Sequence, residues 1–365
     1  MAVSGTFSKL IALAARNERR LGAVLFGFGF LTDLFTFGIL SAAVVSYFFI
    51  AYLFLAAISA VGAHYFAGTA LSENEPRWRR ALAVLCPLAA QYAFGGLLSG
   101  LVVFYAANSF LAVSWPFILL IGIVYFGNEY FRMYKHYLVF QTTLFFFTLY
   151  AYTIFGLPLV VKSLGPVVFG GSTLVALVLF AVFLYALKVV NPKRMHGVLR
   201  QIVASVGTVV ILISGSYFLG LIPPIPLALA DSGVYHGLTR VSGGYRVLAE
   251  EPPAWWNIFP PTIHHVPGEQ LYAFSAVAAP IEFGTAVAHR WERNIPGKGW
   301  TTENRVSFPI TGGRAGGYRG YSYRSELEDG EWRVSVETVN GQVIGRIRFN
   351  VESADTRPAL HEETL

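Results

Sequence analysis

The chain has 365 residues, 55% of them hydrophobic, 15% aromatic and only 13% charged, with a formal net charge of +6. Soluble domains carry about 25% charged residues, so the composition excludes a wholly water-facing protein. In a membrane protein, surplus Lys and Arg mark cytoplasmic loops, and the positive charge calls for no nucleic-acid partner. The single cysteine, Cys86, excludes an intramolecular disulfide, a cysteine zinc site and a thiol motif, and reads as a small packing residue.

Met1–Arg20 is a basic segment with Phe7, Leu10, Ile11 and Ala14 at helical spacing. That pattern predicts an uncleaved amphipathic helix on the inner membrane surface. A membrane span needs about 20 apolar residues. Leu21–Ile39, Ala42–Phe66, Ala81–Ala106, Phe110–Gly127, Tyr137–Gly156, Ser172–Val190 and Gln201–Ile222 are apolar segments of that kind. They predict a seven-span transmembrane helical bundle over residues 21–223. Polar loops are expected at Ser72–Arg80 and Leu157–Gly170. Lys9, Arg16, Arg19, Arg20, Arg77, Arg79, Arg80, Arg132, Lys135, Lys188, Lys193, Arg194 and Arg200 all fall at one set of span ends; the other set has only Lys162. The positive-inside rule then puts the N-terminus in the cytoplasm. An odd number of spans puts everything after Pro223 outside. Within the spans Asp33 is the clearest oddity: a charge at depth is costly and usually functional, but Asp33 lies over halfway along its span, toward the outer interface, which halves that inference.

Residues 224–352 follow a different pattern, with alternating apolar positions and breaks rich in Gly, Pro and Asn. Leu271–Ala278, Ala286–Trp291, Arg305–Ile310, Tyr318–Ser325, Glu331–Val339 and Gln342–Val351 read as strands, with one or two more around Gly237–Leu248. Seven or eight short antiparallel strands predict an all-β, immunoglobulin-like sandwich. Residues 353–365 have little to bury and are expected to form a disordered tail. The last hairpin can be registered in detail. Asn340-Gly341 favours a two-residue type I′ turn, which sets Val336 opposite Gly345, Val334 opposite Ile347 and Trp332 opposite Phe349. On the other face Arg333 meets Arg348 and Ser335 meets Arg346. Like charges across a strand pair repel, so an anion, a headgroup or Glu337 is needed to offset them.

Several of these residues carry a resemblance. Val287-Ala288-His289-Arg290-Trp291, Gly312-Gly313-Arg314, Gly317-Tyr318-Arg319, Tyr321-Ser322, Trp332-Arg333-Val334, Gly341-Gln342-Val343-Ile344-Gly345-Arg346 and Phe349-Asn350-Val351 together resemble a bacterial C-terminal domain of unknown function. That domain often follows a multi-span membrane region. The match runs over Gln270–Val351. The resemblance implies a bacterial, Gram-negative envelope protein and supplies no activity.

The candidate chemistry is sparse. His289 and Trp291 share a strand face, which is either a satisfied core or one side of a ligand pocket. His264-His265 sits between Pro261 and Pro267, in an expected loop, without the further ligands a metal needs; no metal or cofactor is called for. Arg314, Arg319, Arg333, Arg346 and Arg348 form either an anion-binding face or a solvated one that blocks edge pairing. Gly312–Gly317 lacks the Gly-Lys-Ser/Thr of a phosphate-binding Walker loop. Tyr318, Tyr321 and Tyr323, with Trp255, Trp256 and Trp300, either stack on sugar rings or pack a core. Glu326, Glu328, Asp329 and Glu331 read as a solvated acidic turn. No nucleophile triad and no catalytic carboxylate pair is visible. The expected function is to anchor a periplasmic sandwich that binds or assembles an anionic envelope glycan, lipid or protein. A transporter or channel with an accessory domain, and an integral-membrane enzyme acting on lipid or glycan, are the alternatives.

Overall fold

The computed structural model describes residues 28, 31–32, 42–67, 75–107, 110–130, 137–251, 259–280, 283–311 and 316–365. They divide into two compact units, one mostly helical and one mostly of strands. The expected first span, Asp33 and the basic N-terminal segment lie outside the described residues, apart from Phe28, Leu31 and Thr32.

The helical unit contains α1 (Ala42–Ala67), α2 (Arg77–Ala107), α3 (Leu111–Tyr130), α4 (Tyr137–Val161), α5 (Pro166–Val190) and α6 (Pro192–Phe218). Among the described residues α1, α2, α4, α5 and α6 are long and apolar enough to cross a membrane. Two boundaries differ from expectation. Arg77, Arg79 and Arg80 are the first turn of α2, where Glu75 holds Arg79 at 2.7 Å. The loop expected over Leu157–Gly170 shrinks to Lys162–Gly165, because Pro158 removes a single backbone donor and α4 continues through it. Aromatic rings fill the centre: Phe104 and Phe155 lie 4.6 Å apart, Phe49 packs on Phe155 at 5.5 Å, and Phe169 stacks on Tyr217 at 3.8 Å. Polar side chains mostly turn back on their own helix, as Thr142 does to the Leu138 carbonyl, Thr148 to Leu144 and Ser172 to Val168.

The strand unit has eleven strands among the described residues: β1 (Ala228–Tyr235), β2 (Gly237–Val241), β3 (Gly244–Ala249), β4 (Thr262–His265), β5 (Leu271–Ala278), β6 (Gly284–Ile295), β7 (Gly299–Thr311), β8 (Tyr318–Arg324), β9 (Gly330–Thr338), β10 (Val343–Ser353) and β11 (His361–Thr364). They form a sheet β1-β5-β8, a sheet β4-β10-β9-β6-β7 and a small sheet β11-β3-β2. The result is three layers, where two were expected. Strand β5 is central. Its Leu271, Ala273 and Val277 pack against Trp291, Trp332, Val334, Val336 and Phe349 of the five-stranded sheet. Its Phe274 and Ala276 face Tyr235, Tyr245 and Val247 under the small sheet. A strand with partners on both faces is mostly apolar, as β5 is apart from its buried Ser275.

Three strands escaped the sequence reading. Strand β1 begins Ala-Leu-Ala-Asp-Ser-Gly, without apolar alternation; β4, the expected loop at His264-His265, has four residues and runs parallel to β10; β11 is His-Glu-Glu-Thr. The expected disordered tail is therefore wrong. Strand β11 pairs with β3, Leu365 packs on the cluster around Phe274, and Arg357 holds Glu269 at 2.9 Å. Deleting residues 358–365 should destabilise the strand unit by about 2 kcal/mol, the scale of returning one large apolar side chain to water. A thermal melt of the full and shortened chains in detergent measures it, and equal melting temperatures would show that β11 adds nothing.

The last hairpin pairs as the sequence register requires. Gly345 faces Val336, Arg346 faces Ser335, Ile347 faces Val334, Arg348 faces Arg333 and Phe349 faces Trp332. The turn itself differs. Gly341 N donates to the Thr338 carbonyl, and Thr338 N donates to the Gln342 carbonyl, both at 2.9 Å. The loop is thus Val339–Gly341, three residues long, with only Gly341 at positive φ (83°). It would shift the register by one, and a bulge at Ile344 shifts it back.

Candidate functional site

The outward face of the five-stranded sheet gathers charge. Strand alternation sends Trp332, Val334 and Val336 inward and leaves Arg333, Ser335 and Glu337 outward. Pairing then builds rows across β10, β9, β6 and β7. One row is Arg348, Arg333, Glu292 and Thr302; the next is Arg346, Ser335, Arg290 and Arg305. A bulge between Trp291 and Glu292 in the β6–β7 pairing helps aim these rows.

Two buried carboxylates organise the arginines. Glu292, 3% exposed, accepts a two-pronged pair from Arg333 at 2.8 and 2.9 Å and a hydrogen bond from Ser335 at 2.8 Å. Arg333 also lies over the Trp300 ring at 4.2 Å. Glu337, 2% exposed, accepts from Arg305 at 2.9 Å. Arg290 Nε approaches Glu337 Oε2 to 3.2 Å as an ion pair, without hydrogen-bond alignment. Burial alone would raise the Glu292 carboxyl; the hydrogen bonds from Arg333 and Ser335 and the charge of Arg290 outweigh it and hold the group below its ordinary value. Glu331, further along β9, is taken by Asn294 at 2.7 Å. The expected repulsion between Arg333 and Arg348 is therefore relieved by Glu292 on the neighbouring strand.

Arg346 and Arg348 are left over. Among the described residues neither forms an ion pair; Arg346 Nε donates to Ser335 Oγ at 3.2 Å and its guanidinium lies over the Phe110 ring at 6.0 Å, while Arg348 is exposed. Burial, then the charges of Arg333, Arg290 and Arg348, press the Arg346 guanidinium below its ordinary pKa despite a counteracting pull from Glu292. The other expected arginines are elsewhere. Arg319 is on β8, in the three-stranded sheet, and donates to the Gly243 carbonyl at 3.1 Å. Arg314 and Gly312–Gly313 lie outside the described residues. Glu292 and Arg305 were missed by sequence reading, because only the cross-strand register of β6, β7 and β9 brings them beside Arg333 and Glu337.

Of the two readings of His289 and Trp291, the satisfied core is the one the structure has, and the alternative of a ligand pocket falls. Both are 0% exposed. His289 Nε2 meets Ser275 Oγ at 2.7 Å, its Nδ1 meets Ser322 Oγ at 2.9 Å, and Trp291 Nε1 donates to the same Ser322 Oγ at 2.9 Å. These bonds tie β6 to β5 and β8 across the sandwich, and Phe308 closes the site edge-on at 4.9 Å. Burial pushes His289 down to about 4, so the ring is neutral.

Two further polar groupings stand apart. Glu250 accepts from His264 N at 2.7 Å and contacts His264 Nδ1 and His236 Nε2, each at 2.8 Å; its hydrogen bond and charge raise the His264 pKa. A cleft of about 430 Å³ lies beside the acidic turn. That turn is tied down as well as solvated: Arg293 holds Glu328, Trp332 Nε1 donates to the Glu328 carbonyl at 2.7 Å, and Asp329 accepts from Ser353. Tyr321 and Tyr323 are half-exposed on β8, ringed by Tyr245 and Tyr272.

Residues 284–351, which build β6 to β10, match the family described as "Protein of unknown function (DUF2914)". The C-terminal region thus contains such a domain, and Glu292, Glu337 and the arginines of the face all belong to it. Among solved structures, an immunoglobulin-like protein from Pseudomonas aeruginosa is similar over 34% of this chain and 96% of its own, at 13% identity and a TM-score of 0.19. An alkylpurine DNA glycosylase, AlkC, from Pseudomonas fluorescens, bound to DNA containing an abasic site analogue, is similar over 84% of this chain and 99% of its own, at 12% identity and a TM-score of 0.23. No curated protein matches the chain.

Proposed function

We propose that the chain is a bacterial inner-membrane protein whose spans, seven in number with the N-terminus in the cytoplasm, hold the strand unit at the periplasmic surface. There the arginine face binds an anionic envelope component. The observation that carries this reading is the surplus of guanidinium on one sheet face: among the described residues Glu292 and Glu337 pair with Arg290, Arg305 and Arg333, and leave Arg346 and Arg348 without an ion pair. The thirteen-to-one distribution of basic residues between the span ends supports the orientation. The full chain in neutral detergent should be retained on a dextran sulfate column and released by salt, since exposed charge contacts are screened. Arg346→Gln with Arg348→Gln should elute clearly earlier. Equal elution would leave the face merely solvated.

The transport reading retains one observation. His64 on α1 is 3% exposed, and among the described residues its ring nitrogens have no well-aligned partner, with the Leu187 and Asn191 backbone nearby. Against it, intramembrane hydroxyls among the described residues largely bond to their own helix.

A further inference from the structure

The small sheet β11-β3-β2 joins two parts that bury very different amounts. Strands β2 and β3 form a hairpin of their own, paired from Gly237 with Leu248 to Val241 with Gly244, and Val247 of β3 is fully buried beside Tyr235, Phe274 and Ala276. Strand β11 lies on the other edge of β3 and buries almost nothing: His361, Glu362, Glu363 and Thr364 are all exposed. It is held by the ladder that sets His361 opposite Ala249 and Thr364 opposite Arg246, and by a long Arg246–Glu362 ion pair at 3.7 Å. Its one apolar anchor is Leu365, which exchanges backbone hydrogen bonds with Tyr245 at 2.8 and 3.2 Å and packs on the cluster around Phe274. Main-chain pairing plus an anchored side chain is how an extended segment adds to an open sheet edge. The fit is close, since a Cβ on Gly244 would collide with the Leu365 carbonyl oxygen. None of these contacts depends on which molecule supplies the segment. The connector between Ser353 and His361 is tied, among the described residues, by Ala354 N donating to the His265 carbonyl at 3.0 Å and by Arg357 pairing with Glu269 at 2.9 Å. We infer that the β3 edge is a strand-accepting site for residues 361–365 of a second copy of this chain, so that two copies join by exchanging β11. Such an exchange keeps the native contacts of the strand and changes only its connector. Two copies whose spans share one membrane meet at high local concentration, which favours the exchanged form by mass action. The inference stands apart from the arginine face, which is on a different sheet.

The test places one cysteine on each side of the pairing, in the full chain carrying Cys86→Ser. Arg246 and Thr364 face each other across the ladder. Because the adjoining Tyr245 and Leu365 exchange both backbone bonds, Arg246 and Thr364 are a non-hydrogen-bonded pair, with Cα atoms about 4.5 Å apart, a separation that a disulfide spans. Arg246→Cys and Thr364→Cys are made in separate, differently tagged copies, which are co-expressed, oxidised mildly in the membrane and separated on a non-reducing gel. A covalent dimer carrying both tags is expected, since neither copy alone holds two cysteines. Both substitutions in one copy should close a disulfide within that copy, which reports the pairing itself. Gly244→Ala in the copy bearing Arg246→Cys should abolish the mixed dimer. The inference is overturned if the doubly substituted copy closes its disulfide while the co-expressed pair gives no mixed dimer, or if the mixed dimer persists with Gly244→Ala. It is also overturned if His361→Cys, which belongs opposite Ala249 at the far end of the ladder, joins Arg246→Cys as readily as Thr364→Cys does. If no disulfide forms in either arrangement, β11 does not pair with β3 and the inference falls with the pairing.

Discussion

Replacing Glu292 by Leu is expected to destabilise the strand unit by about 3–5 kcal/mol, the cost of leaving a buried charge without its partner. Arg333, Ser335 and Arg290 all converge on that carboxylate. Arg333 has 12% of its side chain exposed, too little for water to replace the lost acceptor. The neighbours would add to the loss: without Glu292, Arg333 faces Arg348 directly across the β9–β10 ladder. Hydrogen exchange of the β6 and β9 amides in the full chain reads the effect locally. Leu at both 292 and 333 should recover part of the loss, since an apolar pair can replace a buried ion pair. Arg348→Gln, at an exposed and unpaired position, should cost less than about 0.5 kcal/mol. If Glu292→Leu cost no more than Arg348→Gln, the carboxylate would not be the centre of this face.

The second large effect is on acid stability. His289 is neutral in the folded sandwich, with a pKa of about 4, against an ordinary value of 6.5. Between those values the unfolded chain binds the extra proton, so stability falls as pH drops through that window and is fully present above it. The loss by the acid end is about 3 kcal/mol. Protonation makes both ring nitrogens donors, and the site then needs both Ser275 and Ser322 to accept while Ser322 already accepts from Trp291. The depressed carboxyls of Glu250 and Glu292 act in the same direction, nearer and below the ordinary carboxylate range. His264, raised by Glu250 but largely solvated, acts weakly in the opposite direction. Urea titrations at several pH values should show the decline in the parent. His289→Gln should lose the part lying between about 4 and 6.5, whatever its stability at neutral pH. A parent whose stability is flat across that window would mean that His289 takes its proton without cost.

The local register of the C-terminal hairpin is legible in the sequence. A period of two and a single slip-sensitive pattern place Trp332, Val334, Val336, Ile347 and Phe349 on one side and Arg333, Arg346 and Arg348 on the other. The same register survives a different turn, because the buried side chains of β9 and β10 set the pairing and the loop adjusts by one residue and one bulge. Composition likewise sufficed for the apolar helices, whose hydropathy is a property of each segment by itself. What the chain alone did not determine is whatever depends on strands distant in sequence. Glu292 reads as an unremarkable charge until β6 lies beside β9; Ser322 and Ser275 read as neutral spacers until both meet His289. Strand β11 has no apolar pattern of its own, and β3 supplies the hydrogen-bonding edge that orders it. Local patterning decides which way a side chain points. Only tertiary contact decides whether its charge is paired, and on this sheet that is the difference between Arg333, held by Glu292, and Arg346 with Arg348, left without an ion pair among the described residues.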